Sequence, residues 1–390
     1  MKQCPFCGSE EYIDIRKVNV YNYILCNLPV KEDPVQMKIY TCKQCGLGIY
    51  HDHLSDDELE NIYKNYFYLF HYFDNPDISW YKDFDVEFIS QHIKSEESKV
   101  VELGCHDGFF IDLLQKYALS CGKQYKNIMG IEPSPNADIG ISHGLKIEKK
   151  FFTENYFPDN EKVDLFYSSH FFEHIKDPFS LFKNMLSQIN DDGKIIIIVP
   201  NFSGYDITHY YYYSWPFFEK MAKKYGAKVI DAKITYSSLR HVEELKIVFS
   251  KKDSEYDEIK CPFDMNYVIT HEKEMQDKLV SDFLDGFKLI KNFIENKEVV
   301  YWYGTANYYL ISYCGLLSKM RVKYNIVPVD NELVRQGFKI PNCSTPVELL
   351  SNLSNHVLDS MIISEMDKEI VMPLLLEYNI KVKNIFYSKF

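Results

Sequence analysis

Val100-Val-Glu-Leu-Gly-Cys-His-Asp-Gly108 limits the fold of this chain more than any other stretch. An apolar strand that ends in an acid and turns at once through Gly-x-x-x-Gly exposes bare backbone at the strand's C-terminal end. A bound cofactor can lie against that backbone. Lys99–Leu103 reads as the strand and 109–117 as the helix after the turn. The next strand, Asn127–Ile131, runs into a second acid, Glu132, whose carboxylate can accept both hydroxyls of a ribose. The segment 119–126 lengthens the connection beyond the usual spacing of about twenty residues. Strands over 145–148, 163–168 and 195–199 continue the series, with a helix at 177–188. Strands alternating with amphipathic helices predict a parallel α/β sheet. Glu102, Gly104, His106, Asp107, Gly108, Glu132 and Pro133 are the cofactor-binding candidates.

Two Cys-x-x-Cys pairs, Cys4-Pro-Phe-Cys7 and Cys42-Lys-Gln-Cys45, form the second constraint; each is followed by a glycine, Gly8 and Gly46. Four thiolates suit zinc, which takes them tetrahedrally at about 2.3 Å, and the glycines let the backbone curl so that amides point at sulfur. A closed four-cysteine shell makes the ion structural. Redox use of one pair calls for a thioredoxin-like fold, which is absent here, and disulfides call for an oxidising compartment. The start, MKQCPFCGSEEY, lacks the apolar core of a signal peptide, and the longest aliphatic run, 195–199, is far short of the roughly 20 residues of a membrane helix. A cytoplasmic location, with reduced cysteines, is the expectation.

The texture of the chain divides it into a zinc-binding lobe over 1–75, a core over 76–250 and a C-terminal α/β domain over 251–390. The charge-rich 251–260 reads as the linker, and strands over 298–303, 324–329 and 358–364 form a smaller nucleotide-binding-like sheet. Lys and Arg number 44 against 56 Asp and Glu, and the net charge of −12 opposes a nucleic-acid partner. With 46% hydrophobic and 26% charged residues, disorder, collagen and a disulfide-rich scaffold are excluded. The sequence implies no membrane partner and leaves monomer and homodimer both open.

The remaining motifs decide between cofactors by resemblance. Residues 163–168 with Ser169-His-Phe-Phe-Glu-His174 look like the fourth strand and its loop in class I methyltransferases, and Asp192-Gly-Lys followed by 195–199 and Pro200 looks like their next strand. The pyrophosphate fingerprint of dinucleotide enzymes, Gly-x-Gly-x-x-Gly, is missing. This resemblance implies S-adenosylmethionine, with Ser169 and His170 bordering its adenine or methyl group. More specifically, ELGCHDGFF is similar to the glycine loop of the sugar C-methyltransferases of deoxysugar biosynthesis, where Asn is usual at the position of His106. A side chain there would order the loop or touch the cofactor carboxylate. That family joins a four-cysteine zinc lobe, a class I Rossmann-like core and a C-terminal Rossmann-like α/β domain. Tyr303-Gly-Thr-Ala-Asn307, Val329-Asp-Asn-Glu, Gln336-Gly337, Ile340-Pro341 and Leu358-Asp-Ser-Met-Ile-Ile-Ser364 resemble its C-terminal blocks, so the likeness spans essentially the whole chain. It implies a nucleotide-sugar substrate in polysaccharide or glycoside biosynthesis. Tyr66 and Tyr68 resemble the family's tyrosine pair over the sugar, and Tyr210 and Asn307 complete the substrate-binding candidates.

The chemistry is where the chain departs from that family. In place of a His-Glu-His cluster stands His209-Tyr-Tyr, with Tyr210 and Tyr211 at the positions of the glutamate and the second histidine. Carbon methylation beside a ketone needs a base of suitable pKa within reach, and a tyrosine near pKa 10 is a poor one. O- or N-methylation is therefore favoured slightly over C-methylation. His209, His174 and Tyr211 are the catalytic candidates, and Glu173 is a candidate orienter. The run 210–213 reads either as a sugar-stacking wall or as alternating core and surface. The competing reading is a catalytically degenerate methyltransferase-fold partner in a glycan-assembly complex.

Overall fold

The computed structural model describes residues 3–20, 35–51, 53–59, 86–158, 161–202, 208–237, 242–295, 297–304, 308–331, 336–337, 339–340, 342–364 and 368–388. Contacts divide the chain into two compact units. One is Met1–Val18 with Met37–Leu54 and His71–Glu272; the other is Asn19–Gln36 with Ser55–Phe70 and Lys273–Phe390.

Strands β1 (Tyr12–Val20), β2 (Val35–Cys42) and β3 (Gly48–Tyr50) build a small sheet, with the second cysteine pair at the turn from β2 to β3. The sheet's fourth strand is Tyr211–Tyr212, antiparallel to β3, with Gly48 opposite Tyr212 and Ile49 opposite Tyr211. Half of the tyrosine run is thus sheet rather than loop.

The core then continues in chain order. It runs α1 (Val86–Gln91), β4 (Lys99–Leu103), α2 (Phe109–Ser120), β5 (Asn127–Ile131), α3 (Ala137–Ser142), β6 (Ile147–Glu148) and β7 (Val163–Ser169). Next come α4 (Pro178–Gln188), β8 (Ile189–Pro200), β9 (the Tyr211–Tyr212 strand), α5 (Trp215–Tyr225), β10 (Ala227–Ser237) and β11 (Val242–Lys251). The sheet order is β10-β11-β8-β7-β4-β5-β6. Strands β4 to β8 pair in parallel, as the alternation of elements predicts. Parallel strands covered on both faces become continuous apolar runs. Ile195, Ile197 and Val199 accordingly join the layer that includes Phe182, Phe217 and Met221, while Ile196 and Ile198 join that of Ile111 and Leu114. Asp177 starts α4 by accepting from the Ser180 amide at 3.0 Å, with Pro178 at the first helical position.

Two features differ from the sequence expectation. First, β10 and β11 pair antiparallel, and β11 is antiparallel to β8. Only four residues separate β10 from β11, and a parallel pair needs a crossover of a dozen or more. Second, 251–260 does not run free of the core. Ile259 donates its amide to the Val229 carbonyl at 2.9 Å, Tyr256 donates to the Asp192 carbonyl at 3.2 Å, and Ile259, Cys261 and Phe263 pack on the core. The apolar residues closing that charged stretch bring it back.

The C-terminal part carries α6 (Met265–Ile294), β12 (Val300–Tyr303), α7 (Tyr308–Lys319), β13 (Ile326–Asp330), β14 (Glu348–Leu349), β15 (Val357–Ser364), α8 (Lys368–Glu377) and β16 (Lys381–Ser388). Its sheet has the order β14-β13-β12-β15-β16, parallel throughout. This is the Rossmann-like arrangement the sequence predicts, built around Trp302, Leu310, Tyr313 and Ile362. Among the described residues no helix is long and apolar enough to cross a membrane.

Candidate functional site

The glycine loop sits at the C-terminal end of β4, and its geometry explains its composition. Gly104 and Gly108 have φ of +71° and +78°, in the left-handed region where a Cβ is strained. A Cβ on Gly104 would collide with the ring of Phe171, which closes over the bare backbone from the loop after β7. His106 adopts φ +52° despite its side chain. That conformation is held from both sides: its amide donates to Glu132 Oε2 at 3.1 Å, and its Nε2 is hydrogen-bonded to Asn136 Nδ2 at 2.9 Å. Asp107, 1% exposed, accepts from the Phe109 amide and starts α2.

Glu132 also accepts from the Ser134 amide at 2.8 Å, so one carboxylate ties the loop after β5 to the loop after β4. Its two oxygens retain acceptor capacity beyond these two amides. Pro133 comes next in the chain, and Ser169 is the last residue of β7. Ser168 Oγ, on a residue 1% exposed at the same strand end, has no hydrogen-bond partner among the described residues. Spare acceptors for a ribose on Glu132 and an unsatisfied hydroxyl at the end of β7 fit S-adenosylmethionine. Glu102 lies deeper. It is 3% exposed, accepts from Tyr167 Oη at 3.0 Å, and burial pushes its carboxyl up to about 8.

The loop from β7 carries His170, Glu173 and His174. His170 takes φ +49° and donates Nε2 to Glu244 Oε1 at 2.8 Å, while its Nδ1 stands 3.6 Å from Glu173. Glu173 and His174 share a single 3-10 turn, Phe172–His174. The segment before β9 meets this turn: Tyr210 donates its amide to the Glu173 carbonyl at 2.9 Å, and the His174 and His209 rings are 4.6 Å apart at 80°. One ligand atom from each of Glu173, His174 and His209 lies within 4.8 Å of the others. A glutamate and a second histidine thus stand near His209, brought there by the other segment. Burial, with the charges of His170 and His53, pushes His209 down to about 3, so it is a neutral imidazole at neutral pH.

Of the two readings of the tyrosine run, burial of Tyr211, Tyr212 and Tyr213 fits packing. Burial raises the Tyr211 phenol to about 12, and its hydroxyl donates to the Lys176 carbonyl at 3.2 Å, which suits a packing residue better than a base. Tyr212 and Tyr213 are buried, and Tyr210 stacks on His53 at 3.7 Å. Tyr66, Tyr68 and Asn307 lie outside the described residues.

The cysteine cluster forms as expected. Gly8 donates its amide to the Cys4 carbonyl at 2.8 Å and Gly46 to the Cys42 carbonyl at 2.9 Å, with φ of +75° and +81°. The sulfurs of Cys4 and Cys45 are 3.6 Å apart and those of Cys7 and Cys42 3.5 Å. Four sulfurs at about 2.3 Å from one ion stand about 3.8 Å from each other, so the gathered thiols fit a tetrahedral metal. Phe6, between the first two cysteines, packs on Phe179 and Phe217 at 5.4 and 5.0 Å, joining this lobe to the core.

Residues 84–245 match the model of a family described as a methyltransferase domain. With the glycine loop, Glu132 and the strand order in place, S-adenosylmethionine is the cofactor expected of this fold. This core is an S-adenosylmethionine-dependent methyltransferase domain. No curated protein matches the chain. Among solved structures, the methyltransferase is similar to an S-adenosylmethionine-dependent methyltransferase from Clostridium acetobutylicum, at 14% identity over 50% of this chain and 98% of that one, with a TM-score of 0.34. A second, from Mesorhizobium loti, has 11% identity over 42% and 95%, with a TM-score of 0.34. A third, TehB-like, from Corynebacterium glutamicum, has 17% identity over 43% and 88%, with a TM-score of 0.33.

Sequence reasoning missed Glu244, Asn136, Thr208 and Phe171. Glu244 alone had a signal: it is an acid in a strand, 1% exposed and in register with the buried Lys246 and Val248. The other three act through loop contacts that no spacing announces.

Proposed function

We propose that this methyltransferase acts on a nucleotide-activated sugar, moving the methyl group of S-adenosylmethionine to a hydroxyl or amine of the sugar in polysaccharide or glycoside assembly. The observation that carries the substrate class is the C-terminal sheet. Gly304, at φ +91°, comes directly after its first strand, and Asp330, 2% exposed, ends the second. A glycine turn and an acid at those two strand ends are what doubly wound sheets use to hold nucleotides. A four-cysteine lobe, a class I core and this sheet, in that order, also match the architecture of the sugar C-methyltransferases that the sequence resembles.

S-adenosylmethionine, when bound, supplies the electrophilic methyl group. Glu132 would take the ribose hydroxyls, and the Ser168 hydroxyl would border the rest. The acceptor's proton leaves toward Glu173, His174 and His209. Tyr211 is too high in pKa for a base, and His209 alone is too low to deprotonate carbon. A hydroxyl or amine, positioned against a sulfonium, asks for less. The four cysteines would hold zinc as a structural ion.

The test is methyl transfer from labelled S-adenosylmethionine to a panel of nucleotide sugars. Incorporation into one of them is expected, falling roughly 100-fold in His209→Ala with S-adenosylhomocysteine affinity unchanged. No incorporation into any nucleotide sugar, in protein that binds S-adenosylhomocysteine, would remove the substrate class and favour the non-catalytic partner.

A further inference from the structure

We infer that Glu173, His174 and His209 form a second metal site in the core, one that takes a divalent first-row transition ion. Two imidazoles and one carboxylate are a recurring ligand set for such ions, and three protein ligands leave positions open for an oxygen of a bound molecule. The three ligand atoms already lie within 4.8 Å of one another. Ligands at about 2.1 Å from one ion stand roughly 3 to 4 Å apart, so small side-chain rotations complete the shell.

A second, independent observation comes from His209. It is 6% exposed, and its Nδ1 is buried with no hydrogen-bond partner among the described residues. An imidazole nitrogen left this way loses its hydrogen bond to water without replacement, at a cost of about 1–3 kcal/mol. A metal ion nearby gives the ring a ligand's role for that cost. The surroundings also have the features of a ligand support. Thr208 Oγ1 is hydrogen-bonded to His174 Nδ1 at 3.1 Å and fixes the orientation of that ring. The amide of Tyr210 holds the two ligand-bearing segments together through the Glu173 carbonyl. His170 stands between Glu173 and the buried Glu244 and sets the far side of the carboxylate.

This inference deepens the proposed function. An ion there would bind an acceptor oxygen and lower its pKa, so that the acceptor's proton is lost more easily. The cysteine cluster is chemically distinct, because its thiolates favour zinc and mark any ion they hold spectroscopically.

The experiment uses the full chain with zinc in the cysteine cluster, dialysed against cobalt(II) and then freed of loose metal. One cobalt per chain is expected, with the weak visible bands of nitrogen and oxygen ligands and no thiolate charge-transfer band. Glu173→Gln, nearly isosteric, and His209→Ala should each lose that cobalt at least tenfold in affinity while keeping the zinc. Unchanged S-adenosylhomocysteine binding and circular dichroism establish that the variants are folded. If His209→Ala does not fold, His174→Gln serves in its place. No cobalt in the folded wild type, cobalt carrying thiolate bands, or undiminished uptake in the variants would each overturn the site. Uptake is read with no acceptor present, so it stands or falls separately from methyl transfer to nucleotide sugars.

Discussion

The two clusters of potential metal ligands are built in opposite ways. Each half of the cysteine cluster is a local turn, in which a glycine at positive φ donates back to the first cysteine's carbonyl four residues earlier. Two such turns then need only to face each other. Glu173, His174 and His209 have no such turn motif. Their positions come from where β7 ends and where β9 begins, and the Tyr210 amide is the direct tie between the segments. A ligand set encoded by local backbone is visible as spacing; one encoded by packing is not.

The largest effect should come from breaking the local kind. Cys4→Ser with Cys42→Ser removes two of four ligands, and structural zinc in small modules is worth about 10 kcal/mol or more. Loss of metal and of amide-exchange protection in β1 to β3 is expected, and unchanged zinc content would refute the site. Because β3 pairs with β9, the same variant also asks whether the histidine cluster depends on the lobe: its cobalt uptake should weaken.

Next come two buried ionisable groups with opposite pH signatures. His209 is near 3 in the folded state against about 6.5 unfolded, so the unfolded chain binds more protons between those values. Stability is expected to fall by about 5 kcal/mol as pH drops through that window. His209→Gln should flatten the slope in denaturant titrations. Glu102 runs the other way: near 8 folded against 4.5, it keeps a proton that the unfolded chain releases. Its penalty grows as pH rises from 4.5 to 8. Glu102→Gln should therefore add about 4 kcal/mol at pH 8 and almost nothing at pH 4.5, and equal gains at both would contradict the burial account.

Gly104→Ala comes third. A Cβ there meets the Phe171 ring at φ +71°, and S-adenosylhomocysteine affinity in calorimetry should drop about 100-fold, or about 2.7 kcal/mol. Tyr211→Phe is the smallest. It removes one hydroxyl that donates to the Lys176 carbonyl and should cost about 1 kcal/mol in thermal unfolding. A much larger loss would give this tyrosine more than a packing role.

Much of the sheet was legible. Lys99–Leu103 and Asn127–Ile131 appear within the predicted bounds, and β7 adds one residue to the predicted 163–168. Strands buried on both faces have to be apolar, and the glycine loop has to come straight after the first of them. The antiparallel β10–β11 hairpin was not legible, since its half-exposed edge carries Lys228, Asp231 and Lys233 among the apolar residues. Nor was the burial of 211–213, because tyrosine suits a wet wall and a dry core equally well.

The sequence by itself determined the elements whose cause is local. These are the cysteine turns, the positive-φ glycines, the acid at the end of β5 and the period of the strands, each fixed by sterics or hydrogen bonds within a few residues. The tertiary structure alone decided that Glu173 and His174 join His209 in one cluster, that Glu244 holds His170, and that Tyr211 is a sheet residue. Those outcomes depend on distances between segments some 35 to 165 residues apart, and such distances exist only once the sheet has closed and its two apolar faces are covered.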